Sequence, residues 1–331
     1  MAKQNRYYIS LISFIIIVII SVACSNIYII KEKNYSNYSS MDELNNDSDL
    51  IFAVMSDNHG AGLNNKYFNQ MHHNILKSKS KFIIGIGDQV KKHTHKDFIN
   101  LIQKDSLWHN HFYPAIADGE NDLFGKGQAD WGAGAKLFNY LNLKDIENYR
   151  TVKFRKNNAE YYAQINIDKY VIHLIQLHFP DEPVDTKKSF KQDSRDYMIK
   201  TLNNLKKSKN DIVIVGAHSV TGFWHHLLTK QEQKILFKKA DFIFSGTSHI
   251  FNRSVDPLNG NKGPFIINTG SVTSPLLFCP NGYVQVNIMK DKNAIILQYI
   301  NLKKDNYDFA DEGFAYIKTN KTIKQISFRK N

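Results

Sequence analysis

Asp57, His59, Asp88, His218 and His249 are the residues whose types and spacing could do chemistry together in this 331-residue chain. Each lies shortly after an apolar run: 50–55 before Ser56-Asp57-Asn58-His59-Gly60, 82–86 before Gly87-Asp88, 212–215 before Gly216-Ala217-His218, and 242–244 before Ser245-Gly246-Thr247-Ser248-His249. A further apolar run, 113–117, leads into Asp118-Gly119-Glu120-Asn121-Asp122. Alternate side chains of an extended segment face the same side, so Asp57 and His59 can converge on one point. Anionic oxygens and imidazole nitrogens converging there suit a divalent metal. Any one of these strand ends, read alone, is a turn or a capped helix start. Their recurrence, one after another, points to a metal site.

Such a site requires elements that carry the strand ends to one place. From Leu50 onward, strand-like runs alternate with helix-like ones. Strands are expected over 50–55, 82–86, 112–117, 212–215, 242–244, 265–267, 283–288 and 294–300, with a hairpin formed by 161–167 and 170–177 about the Asp168-Lys169 turn. Helical spacing appears over 67–77, 98–102, 136–143 and 195–206, the last through Met198, Ile199, Leu202 and Leu205. Early βαβ-like alternation followed by strand-rich sequence predicts an α/β protein, its helices packed over a mixed, two-sheet core. In open α/β sheets, ligands collect at the carboxyl ends of the strands, where these polar residues stand.

The chain is long enough to bury a large core, and its 42% hydrophobic content is that of a globular protein. Lys and Arg number 43 against 31 Asp and Glu, giving +12, but the excess is dispersed and reads chiefly as a solvated surface. Attraction to an anionic membrane or substrate is a second consequence, and no nucleic-acid motif accompanies the charge. Cys24 and Cys279 are the only cysteines, which excludes a disulfide framework and a Cys-rich zinc module. Ser78-Lys79-Ser80-Lys81 and Ser56-Asp57-Asn58 match fragments of serine acyl-enzymes in reversed order, with no K-T-G after them, so that chemistry is rejected.

Lys3 and Arg6 precede 24 uncharged residues, 7–30, enough to span a membrane. The basic residues favour a cytoplasmic N-terminus with the body carried across. Ser21-Val22-Ala23-Cys24 alternatively resembles a bacterial lipoprotein signal, with Cys24 lipidated, and a cleaved secretory signal is a third reading. All three place the body outside the cytoplasm, in the cell envelope. The expected organisation is a signal anchor or lipoprotein signal over 1–30, an Asn- and Ser-rich polar tether over 31–49, and one domain over 50–331.

The order D-x-H, G-D, an Asn-containing cluster, a lone His and G-x-x-H resembles the calcineurin-like metallophosphoesterase family over about 50–288. The resemblance implies an αββα sandwich of two packed mixed sheets flanked by helices, and two divalent ions (Mn, Fe or Zn). It further implies hydrolysis of a phosphomonoester or phosphodiester by metal-bound hydroxide, attacking in line. Carried over by position, Asp57, His59, Asp88 and His249 hold the first metal, Asp88 bridges, and Asn121 and His218 help hold the second.

Two departures bear on the second metal and on the acid. Thr247 stands where the family has a further His ligand. Gly119-Glu120-Asn121-Asp122 stands where G-N-H-[DE] is expected. Aligned without a gap, Glu120 takes the place of the Asn ligand; shifted by one, Asn121 keeps it and Asp122 replaces the catalytic His. The second alignment is preferred, which makes Asp122 the candidate catalytic residue. His178, His225 and His226 are other candidate acids, each more ordinarily structural. His93-Thr94-His95 and His109-Asn110-His111 read as surface histidines, with His93 and His95 close enough to Asp88 to rim the site. The alternative to an enzyme is a degenerate member of the family that binds an envelope ligand or partner without turnover.

Overall fold

The computed structural model describes residues 38, 40–126, 132–155, 159–178, 188–219, 228–246, 249, 251–255, 264–273, 280–290, 294–303, 312–317 and 322–327. The anchor or signal expected over 1–30, both cysteines, His225, His226 and Thr247 lie outside them.

Fourteen strands among the described residues form two seven-stranded sheets. The strands are β1 (Ser48–Met55), β2 (Ile83–Ile86), β3 (Phe112–Ala115), β4 (Arg150–Phe154), β5 (Tyr161–Ile167), β6 (Tyr170–Leu177), β7 (Asp211–Ala217), β8 (Phe242–Ser245), β9 (Phe251–Val255), β10 (Phe265–Thr269), β11 (Gly282–Met289), β12 (Ala294–Asn301), β13 (Glu312–Ile317) and β14 (Thr322–Ser327). The first sheet runs β14-β13-β12-β11-β1-β2-β3 and the second β4-β5-β6-β7-β8-β10-β9. β1, β2 and β3 are mutually parallel, while β11 pairs antiparallel with β1. In the second sheet β6, β7, β8 and β10 are parallel, with antiparallel strands at either side. Both sheets are mixed, as expected, and helices flank them.

Burial explains which sequence patterns were legible. β2 and β7 are buried throughout and read as continuous apolar runs. β5 alternates buried Tyr161, Ala163, Ile165 and Ile167 with half-exposed neighbours, the signature of a strand with one solvated face. Helix Lys66–Lys77 buries Phe68, Met71 and Ile75 along one stripe, and Asn65 Oδ1 caps it by accepting the amides of Tyr67 and Phe68. On the outer side of the second sheet, Met198 and Leu202 of helix Lys188–Asn204 and Leu236 of helix Lys230–Lys239 cover Ile175, Val213, Val215 and Ile243.

Several elements differ from expectation. Residues 133–140 form a 3₁₀ helix where an α-helix over 136–143 was expected. His109 and His111, expected as surface histidines, are half-buried on helix Ser106–His111, which Asp105 caps. His111 Nδ1 lies 2.9 Å from Tyr149 Oη, and His109 Nδ1 lies 3.1 Å from the carbonyls of Ile102 and Tyr140, so both are structural. Met41–Asn46, within the stretch expected as a tether, is a helix N-capped by Ser40, with Met41 and Leu44 buried three residues apart. No helix among the described residues is long and apolar enough to cross a membrane.

Candidate metal centre

The carboxyl ends of the parallel strands in both sheets meet where the two sheets adjoin. Gln176, buried at the end of β6, joins the sheets by donating from Nε2 to the carbonyls of Gly85 (3.1 Å) and Tyr113 (2.7 Å). Beyond β1 come Asp57 and His59, beyond β2 Asp88, beyond β7 His218 and beyond β8 His249. Backbone bonds splice the first two turns together: Asp57 N to Gly87 O (3.2 Å), His59 N to Asp88 O (2.9 Å) and Gly60 N to Gln89 O (2.8 Å). From β10, Ser271 Oγ donates to Asp57 O and Thr273 Oγ1 to Asn58 O, holding the D-x-H turn from its other side. The polar run after β10 is a signal the strand-end reading passed over.

Five side chains converge there. Asp57 Oδ1 lies 2.9 Å from His249 Nε2, 3.7 Å from His59 Nε2 and 3.8 Å from His218 Nε2. Asp88 Oδ2 lies 3.9 Å from His59 Nε2 and 3.8 Å from His218 Nε2. Ligand atoms fall into two triads, Asp57–His59–His249 and Asp57–Asp88–His218, whose members all lie within 4.8 Å of one another. Asp57 is common to both, whereas the family resemblance gives the bridging position to Asp88. Separations of this size are those of atoms sharing one ion at bond lengths of about 2.0–2.2 Å.

Asp57 is fully buried, yet neither of its oxygens, nor His59 Nε2, has a hydrogen-bond partner of normal geometry. A buried carboxylate left unsatisfied is costly, and the missing interaction is what a cation supplies. Burial raises the Asp57 carboxyl pKa, but His218, His249 and His59 around it outweigh burial and hold it well below the usual carboxylate range. His218 Nδ1 sits 2.7 Å from Ile86 O, which assigns a proton to Nδ1 and leaves Nε2 as the nitrogen facing the two aspartates. Among the described residues, Asp57, His59, Asp88 and His249 are four of the seven non-glycine residues with positive φ. Such left-handed residues, past β1, β2 and β8, each cost on the order of 1 kcal/mol and re-aim the side chain, as is common at ligand sites.

Solved structures similar to this chain include a purple acid phosphatase from yellow lupin (Lupinus luteus) seeds, with TM-score 0.53 and 11% identity over 85% of this chain and 54% of that one. The chain spans about half that protein's length. This is the metallophosphoesterase fold. A dimetal phosphatase from Danio rerio is also similar, with TM-score 0.49 and 9% identity over 80% of this chain and all of that one. No protein-family model and no curated protein matches the sequence.

On this metallophosphoesterase fold, the departing cluster occupies the helix Asp118–Phe124 after β3. Glu120 is fully buried, and its carboxylate accepts from the amides of Ala117 (2.9 Å), Asp88 (3.2 Å) and Gln89 (2.6 Å). Burial and the neighbouring Asp88 charge push its pKa up to about 7, against the lowering effect of those amides. Asn121 is fully buried and hydrogen-bonded: its Oδ1 accepts from Gly134 N at 3.1 Å, and its Nδ2 lies 3.0 Å from His178 Nε2. Asp122 is half-buried on the same helix, and no ion pair joins its carboxylate to the converging group among the described residues.

His178 does not suit the acid role that was open to it. Because Gly134 occupies Asn121 Oδ1, the amide nitrogen donates to His178 Nε2, which is therefore unprotonated. Burial lowers the imidazole pKa to about 3, so it is neutral near physiological pH.

His59 and Asn58 also line an open cleft of about 610 Å³, bounded by the 60–62 turn, Asn65, Lys91, His93, Thr94, Lys96, Asp97 and Thr273. His93 lines this cleft, whereas His95, expected beside it, is not among the lining residues.

Proposed function

We propose that this protein is a metal-dependent hydrolase of phosphomonoesters or phosphodiesters. The observation that carries this reading is the convergence of Asp57, Asp88, His59, His218 and His249 around buried, unsatisfied Asp57 oxygens on a metallophosphoesterase fold. The donor set fits divalent Mn, Fe or Zn. Asp57, His59 and His249 would hold one ion, and Asp57, Asp88 and His218 a second, with Asn121 or Glu120 completing it after rearrangement. Such ions supply Lewis acidity, offsetting phosphate charge and lowering the pKa of water.

The chain's own residues do the rest. Asp57 and Asp88 leave part of the ionic charge unbalanced, which attracts a phosphate group. The Ile86 carbonyl orients His218, and the spliced 57–60 and 87–89 turns keep the ligands in register. Asp122 is the candidate proton donor to the leaving alcohol. We further place the domain in the cell envelope, tethered by its N-terminal segment; fractionation of cells expressing the full chain tests that placement.

The test of activity uses the full-length protein in mild detergent, loaded with manganese, on a panel of phosphomonoesters and phosphodiesters. Hydrolysis that Asp88→Asn abolishes, with the fold retained, is expected. Metal-replete protein inert on the whole panel would instead support the second reading, a binding protein without turnover. That reading draws on Asn121, whose amide is engaged by Gly134 and His178.

A further inference from the structure

The cleft beside His59 points to the kind of ester this centre takes. Besides His59, three of its bounding side chains are basic or imidazole: Lys91, His93 and Lys96, all exposed. Among the described residues, neither lysine makes an ion pair. The one carboxylate of the lining, Asp97, is engaged through Oδ2 by Asn64 Nδ2 at 2.8 Å. This cationic wall is fastened to the metal-ligand turn, because Thr94 Oγ1 donates to His59 O at 2.5 Å. Gly60, at φ +83°, lies so close to Thr94 that a Cβ would fall 1.5 Å from its carbonyl oxygen. The wall and the metal centre are thus parts of one continuous surface, with His59 shared between them.

We infer that the Lys91–His93–Lys96 wall is a second anion subsite, so that the preferred substrate is a phosphoester whose alcohol part carries a further phosphate or carboxylate. This rests on the phosphoester reading of the metal centre. A compact ammonium on a flexible stem suits such a terminal anion, and its field adds to that of the ions in one cleft.

The test uses two non-hydrolysable ligands, phenylphosphonate and 4-carboxyphenylphosphonate, titrated calorimetrically into the manganese-loaded full chain at low salt. The wild type is expected to bind the carboxylated ligand more tightly, by roughly two- to fivefold per lysine engaged, the range for a partly solvated charge pair. In K91Q/K96Q that preference should shrink to less than twofold. Equal binding of the two ligands by the wild type, or a preference that survives in K91Q/K96Q, would overturn the subsite alone. If neither phosphonate binds, the phosphoester reading fails and the subsite falls with it.

Discussion

The imidazole of His218, at the end of β7 in one sheet, donates to the carbonyl oxygen of Ile86, the last residue of β2 in the other, at 2.7 Å. Two residues past that carbonyl stands Asp88, whose Oδ2 is 3.8 Å from the opposite nitrogen of the same ring. One side chain therefore locks the relative position of the two sheets and sets the tautomer that faces the aspartates. Gly246 belongs to the same contact: its amide donates to His218 O, and a Cβ there would fall 2.7 Å from His218 Nδ1.

Gly87 sits inside this junction at φ +80°, where an added Cβ would meet Ala117 Cβ at 2.7 Å and His218 at 2.8 Å. Gly87→Ala is therefore expected to cost about 2–4 kcal/mol, combining left-handed strain with overpacking. It should weaken metal binding as well, because one of the displaced groups is His218. Urea unfolding with and without manganese measures both effects.

Asp57 is expected to serve both the apo fold and the metal. Its carboxyl pKa is held well below the usual range, so its charge contributes stability that is present above about pH 4 and is lost as pH falls further. In chelator at neutral pH, Asp57→Asn should therefore be less stable than the wild type, by about 1–3 kcal/mol. A saturating metal at about 100 times its Kd adds about 2.7 kcal/mol to the wild type, and the variant should lose that increment as well. Thermal melts with manganese and with chelator decide it; a variant as stable as the wild type in chelator would show that the imidazoles around Asp57 do not stabilise its charge.

Away from the centre, His173 and Asp211 predict the acid limb of stability. Their side chains lie 3.2 Å apart. Burial lowers the His173 pKa from 6.5 more than Asp211 raises it, so the unfolded chain takes up a proton that the native ring resists. That contribution is present above about pH 6.5 and is lost as pH falls below it. Burial raises the Asp211 carboxyl, but bonds from Ser208 and His173 outweigh it and lower the pKa from 3.8, so its contribution is lost only at still lower pH. His173→Gln should flatten the dependence just below pH 6.5, read as the urea midpoint between pH 5 and 8.

Arg150 is a buried cation held by neutral acceptors. It donates to the carbonyls of Asn110, Asn142 (2.6 Å) and Lys144 (3.1 Å) and to Tyr113 Oη (3.2 Å). The guanidinium fork thereby ties β4 to the C-terminal turn of helix Ser106–His111. Arg150→Met should cost about 2–4 kcal/mol, since several buried acceptors lose charged donors at once. Arg150→Lys should recover little of it, a single ammonium being unable to reach the diverging carbonyls. Denaturant unfolding of the two variants tests the comparison.

Strand content was largely legible because buried parallel strands are apolar runs that end at polar turns, and 82–86, 170–177 and 242–244 announce themselves in that way. The helix Lys230–Lys239 was equally open to reading, since Thr229 and Glu232 form a capping box, but its polar composition masked it. Helix Asp118–Phe124 read as a polar cluster because its first turn is held by Glu120 accepting amides from the chain and from a distant turn.

The sequence by itself determined which residue types stand past the strand ends, and hence that carboxylates and imidazoles gather at one edge of an α/β core. Residue order carries that information, because strand periodicity and turn composition are local properties. Only the tertiary structure decided which atoms meet. It made Asp57 common to both triads, turned Asn121 toward Gly134 and His178, lodged Glu120 among three amides, and set the lysine wall beside His59. Those outcomes depend on distances between residues up to 192 positions apart, such as Asp57 and His249, which are set by packing two sheets together and not by any local pattern.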